Sequence, residues 1–258
     1  MSRALHAEWT KLRTAGGTGW LLLTTVVLMV GVGVLVCANV DCQSAGCAGD
    51  PTRISLTGVQ IGQAVVAVLA VLAIGGEYGT GMIQVTFAAV PRRLVVLAPK
   101  ALLVIGGVAL AGAAAVAGSL AAGRVLLTGN GFTPAHGQAA ISLGDAATLR
   151  AALGTVLYLV LVALLSLGVA TLVRDSATAI GTVLGLLYLA PIIASVVSDP
   201  HWHKRFERVA PSSAGLAIQA TRDLTSLPIG PWAGLGVLAL WAVAALGGGA
   251  LLLRLRDA

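Results

Sequence analysis

Few side chains in this sequence have the type and spacing that chemistry needs. His201, Trp202 and His203 bring two imidazoles together, which would be the start of a metal site. No cysteine or acid cluster completes it, so a tryptophan at headgroup level between solvated neighbours is the favoured reading and no metal is expected. Cys42 and Cys47 can form a disulfide if their loop faces an oxidising compartment, while Cys37 reads as a small apolar residue. Gln60 and Gln63 lie one helical turn apart. They can line a substrate path or bond to a neighbouring helix, and the second is favoured. The sequence has no G-x-x-x-x-G-K-[ST] to cradle a nucleotide phosphate and no H-E-x-x-H to hold a catalytic zinc. All four histidines (His6, His136, His201, His203) lie outside the apolar runs, which leaves an intramembrane hydrolase no buried base. The chain is therefore expected to be neither an enzyme nor dependent on a cofactor of its own.

The elements that must position these residues are apolar. Hydrophobic residues make up 57% of the 258 positions and charged residues only 10%, against roughly 25% charged in a soluble domain. Six stretches carry no Asp, Glu, Lys, Arg or His: 18–38, 58–76, 101–123, 151–173, 177–198 and 231–253. Each is 19 to 23 residues long, and about 20 cross a hydrocarbon core as a helix. No strand alternation is visible, and lipid forces backbone groups to bond internally. The expected fold is an all-α polytopic membrane protein with six transmembrane helices. The first stretch, at 21 residues, exceeds a signal-peptide core of about 7–15 and reads as a retained span.

An even number of spans puts both termini on one side. With that side cytoplasmic, the inner segments hold nine basic and four acidic residues, and the outer ones seven and six. Three basic residues precede the first span, and Arg53 alone lies between the first and second. Both termini are therefore expected inside the cell. The net charge of +6 sits in small groups beside apolar runs, which suits anionic headgroups and excludes a nucleic-acid stripe.

Two inner segments are the most specific. In 2–14, Leu5, Trp9 and Leu12 share one helical face and Lys11 falls largely on the other, with Arg13 following. This predicts an interfacial helix over 1–17 ahead of a six-span membrane domain over 18–258. In 77–100, Glu77 sits where the second span leaves the membrane. Gly79 and Gly81 permit a bend, Pro91 ends a short helix, and Arg92 and Arg93 follow. Pro99 and Lys100 then stand at the mouth of the third span. Residues 39–57 and 124–150 read as outer loops, 174–176 as a tight inner turn and 199–230 as a long outer segment. Gly58-x-x-x-Gly62 and Gly181-x-x-x-Gly185 read as close-packing faces.

AEWTKLRT before a first span, then GEY-x-x-G-x-I-x-x-T-x-x-x-x-P-R-R and a lysine entering the third span, resembles the type-2 ATP-binding cassette (ABC) transporter permeases. The Ala- and Gly-rich actinobacterial version is the most similar. Gly79-Thr80 stands where that family commonly has a basic pair, and Phe87 where it has leucine. The resemblance implies a permease subunit of an exporter in a bacterial plasma (inner) membrane, paired with a second copy or a paralogue. A separate ATPase subunit would bind ATP and Mg. Glu77, Tyr78, Gly81, Pro91, Arg92 and Arg93 would form the main coupling element, with Arg174 and Asp175 a smaller contact. Residues 5–12 would be a connecting helix, and 199–230 would hold re-entrant outer helices.

Two other functions compete. An ion-driven secondary transporter usually keeps ionisable groups within its spans, and these six stretches have none. A structural or signalling membrane component without transport would differ by lacking an ATPase partner.

Overall fold

The computed structural model describes residues 16–42, 49–79, 94–136, 141–196 and 199–255. They form an all-α multi-pass membrane protein, with no strand among them. Its membrane-crossing helices are α1 (Gly16–Ala38), α3 (Val59–Gly79), α4 (Leu94–Gly129), α5 (Ala146–Val173), α6 (Ser176–Val196) and α9 (Pro231–Leu255). Between them lie the short α2 (Pro51–Ser55), α7 (Pro200–Val209) and α8 (Pro211–Leu216). The expected interfacial helix, with Leu5, Trp9, Lys11, Leu12 and Arg13, lies outside the described residues, as do Gly81, Pro91, Arg92, Arg93 and Cys47.

Aspartates start many of these helices. The carboxylates of Asp50, Asp145 and Asp199 accept from the backbone N–H of Arg53, Thr148 and His201, satisfying donors that a first turn leaves unpaired. Pro51 and Pro200 follow two of these caps at positions where a missing N–H costs nothing.

The bundle is assembled around α5, which packs on α3, α4, α6 and α9. Within its apolar window 61% of the residues are buried, against 17% for α6. Small residues let neighbours approach: a Cβ at Gly168 would meet the α9 backbone at Ala245 and Leu246. Gly58 and Gly62 pack on Met29 of α1, whereas Gly181 has nothing within 4 Å. The first glycine pair is thus a close-packing face within the chain, and the second is turned away from it.

Three expectations about segment ends change. Residues 39–57 are no simple loop, because α2 folds back into the bundle. Ser55 is buried and donates to the Pro51 carbonyl at 2.8 Å, and Gly33 of α1 and Gly123 of α4 both pack against it. Helix α4 runs past both ends of its expected span. At 36 residues it is roughly 54 Å long. Arg124 is therefore an exposed helical residue and not the start of a loop, and Lys100 is buried within the helix at 5% exposure. Glu77, Tyr78 and Gly79 are the last residues of α3, so Gly79 is helical and any bend follows it.

The 199–230 segment is helical and partly re-entrant. Pro211, Ser212, Ala214, Gly215 and Leu216 of α8 are buried, as are Ala217, Ile218 and Gln219 of the following turn of 3₁₀ helix. The Ser212 hydroxyl donates to the Leu187 carbonyl of α6 at 2.6 Å, and Gln219 Nε2 to the Thr155 hydroxyl of α5 at 3.2 Å. Backbone packing fixes α8 further, since a Cβ at Gly234 of α9 would overlap the Ala214 carbonyl. Both re-entrant pieces, α2 and α8, enter from one end of the bundle, the capped end. The last turn of α3 and the α5–α6 turn belong to the other, the hairpin end.

At the capped end α4 is tied to α1. Asn130, just past α4, donates from its side chain to the Cys37 carbonyl at 2.9 Å and accepts from the Cys42 N–H at 2.9 Å.

Candidate functional site

A polar seam joins α3, α5 and α6. Gln63 and Tyr158 are fully buried, and the Tyr158 hydroxyl donates to the Gln63 side-chain carbonyl. Gln63 Nε2 in turn lies 3.4 Å from Gln60 Oε1. The Tyr188 hydroxyl of α6 donates to the Gln60 backbone carbonyl. The two candidate path residues therefore separate. Gln63 is a helix-to-helix bond inside the bundle and lines no opening, because an unpaired amide in hydrocarbon costs more than one that bonds a neighbour. Gln60 is exposed on the outer surface of the seam. Nothing in the sequence marks the tyrosines, since an isolated tyrosine in an apolar run carries no pattern.

Replacing one member of the buried pair tests this bond. Tyr158→Phe or Gln63→Leu alone is expected to lower stability by about 1 kcal/mol, and the double variant by less than the sum. Unfolding of the purified protein in detergent measures the cycle, and strict additivity would show that the pair is not coupled.

At the hairpin end, Arg174 and Asp175 alone separate α5 from α6. Arg174 takes a left-handed conformation, φ 62°, with its N–H bonded to the Ala170 carbonyl. Glycine adopts that geometry freely, and an arginine carries a strain on the order of 1 kcal/mol there. Asp175 caps α6, accepting from the Thr178 N–H at 2.7 Å. Bonds from the Thr178 side chain and backbone hold its carboxyl below the usual carboxylate range. The next residue, Ser176, is packed against α3, because a Cβ at Gly75 would overlap its hydroxyl. The turn thus adjoins the end of α3, two residues before Glu77.

At the capped end, Asp50 bridges two distant segments. Besides capping α2, it accepts from the Thr221 N–H at 2.5 Å, the Thr221 hydroxyl at 2.7 Å and the Arg222 N–H at 3.3 Å. Arg150 of α5 grips the adjacent residue, donating to the Ala220 carbonyl at 2.5 Å. Cys42 is disulfide-bonded and Cys37 is a buried free thiol. His201 and His203, two residues apart on α7, point to different faces, and His203 pairs with Glu207 at 3.5 Å. No group of three metal-ligating side chains occurs among the described residues.

The chain matches no family model, and no curated protein gives a significant match.

Proposed function

We propose that this chain is the membrane-spanning permease subunit of an ATP-driven exporter of the ABC type, powered by a separate ATPase subunit. The observation that carries the reading is the adjacency at the hairpin end. Gly75 of α3 touches Ser176 beside Arg174 and Asp175, so two sequence segments suited to docking share one mechanical unit. A push on the segment after α3 would reach the α5–α6 turn directly. An arginine held where glycine would be unstrained fits a role for its charge on that face.

The other end supports a closed outer half in a single chain. Residues of α2 and α8 fill the space between the spans. The uncovered surface of α6 carries exposed Thr178 and Thr182 towards the hairpin end, and Gln60 of α3 is exposed towards the capped end. A second copy or a paralogous permease set against that surface would leave the cargo path between two chains. A disulfide at the capped end supports an extracytoplasmic position for it, in a bacterial plasma membrane, since disulfides persist in oxidising compartments. With no P-loop in the sequence, ATP and Mg would be bound by the partner.

Charge reversal tests the docking role. Arg92→Glu with Arg93→Glu, or Glu77→Lys, is expected to leave insertion intact. Transport by vesicles containing both subunits should fall at least tenfold, as should retention of the ATPase on the purified chain. Wild-type transport in those variants, or transport by the chain with no ATPase present, would overturn the reading.

A further inference from the structure

We propose that α7 is an anionic-lipid binding element that holds a phospholipid phosphate at the capped end. Nine of its ten residues divide into three stripes. His201, Lys204, Arg205 and Arg208 recur at helical spacing and line a cavity of about 450 Å³. Trp202, Phe206 and Val209 form a second stripe about 100° around the helix, at 51%, 39% and 55% exposure. His203 and Glu207 pair on the third, which keeps the only acid of α7 off the basic stripe.

The basic side chains are pre-positioned. Arg208 Nε donates to the Pro228 carbonyl at 2.6 Å. The Arg205 guanidinium lies 5.7 Å from the centre of the Trp202 ring, and Trp202 packs on Phe206 with ring centres 6.4 Å apart. Held this way, an arginine loses less freedom when it meets an anion. The helix is also tied to the spans. It lies between α6 and α8 in the chain, and the Trp241 indole of α9 donates to the Val209 carbonyl at 3.0 Å.

The pairing of stripes identifies the ligand. A soluble anion would satisfy the cations but leave Trp202, Phe206 and Val209 uncovered. A phospholipid offers a phosphate to the first stripe and acyl chains to the second, the arrangement by which amphipathic helices lie in an interface.

The test uses the full-length chain, purified and delipidated in detergent, with native mass spectrometry counting retained lipid. Phosphatidylglycerol and phosphatidylcholine with matched acyl chains are the probes. Wild type is expected to retain phosphatidylglycerol at least fivefold better, the scale of one basic contact. Lys204→Gln with Arg205→Gln should abolish that preference, with melting unchanged because both side chains are exposed. Trp202→Ala with Phe206→Ala should weaken retention of both lipids, and Arg124→Gln on α4 should change nothing. Equal retention of the two lipids by wild type, or a preference that survives Lys204→Gln with Arg205→Gln, would overturn the proposal. So would displacement of phosphatidylglycerol by equimolar inorganic phosphate, which would reveal a soluble-anion site.

Discussion

Valine at Gly58 or Gly234 is expected to prevent the chain from accumulating in a folded form, while valine at Gly236 is tolerated. A Cβ at Gly58 would overlap the Met29 carbonyl of α1, and one at Gly234 the Ala214 carbonyl of α8. The obstacle in both cases is backbone, so no side-chain rotation relieves it and whole helices must separate. Overpacking a core costs about 1–3 kcal/mol when side chains can shift, and these sites exceed that range because they cannot. Gly236 belongs to the same helix as Gly234 but has nothing within 4 Å. The yield of monodisperse protein after detergent extraction and its melting temperature are the readouts. Equal behaviour of Gly234→Val and Gly236→Val would show that α8 is not seated on α9 as described.

The second large effect is expected from Asp50→Ala. It removes the α2 cap and leaves the N–H groups of Thr221 and Arg222 without their shared acceptor. Hydrogen bonds to a charged group are worth about 1.5–3 kcal/mol each in favourable settings, and partial exposure reduces that. A loss of about 2–3 kcal/mol is expected in total. Asp50→Asn keeps a good capping side chain and should lose less than half as much. Thr221→Val removes only the hydroxyl bond and should fall between Asn and wild type. Thermal unfolding ranks the three variants, and labelling of a cysteine at position 222 should speed up in Asp50→Ala alone. An Asp50→Ala protein as stable as wild type would mean that the two re-entrant segments are held by packing.

The spans were legible because lipid imposes a simple code: a charge-free run of about 20 residues. The end of α5 and the start of α6 were legible too, since Arg174 and Asp175 are the only charges between two such runs. The re-entrant pieces were harder to see. Helix α2 has five residues and α8 has six, too short for periodicity, and polar Thr52, Ser55 and Ser212 look like loop residues until neighbours bury them. A local signal was present in Asp50-Pro51 and Asp199-Pro200, a cap followed by proline at the first helical position. The Asp50–Thr221 bridge joins residues 171 apart, and nothing local marks such a contact. Gln63 was recognisable as polar, but its partner Tyr158, 95 residues away, decided whether it faced a path or another helix. Arg92 and Arg93 belong to the segment outside the described residues, so the coupling reading rests on sequence pattern and on the adjacency of its flanks.

Helix α4 behaves as a rigid beam longer than the bilayer is thick. Backbone bonding without a proline over Lys100–Gly129, 30 residues, makes it stiff along its axis, and Asn130 ties its far tip to the backbone of Cys37 and Cys42. Tilting such a rod by about 5° about its midpoint carries each tip roughly 2 Å in opposite directions. Force applied where α4 begins would therefore arrive, with its sign reversed, at the disulfide-bonded corner across the membrane.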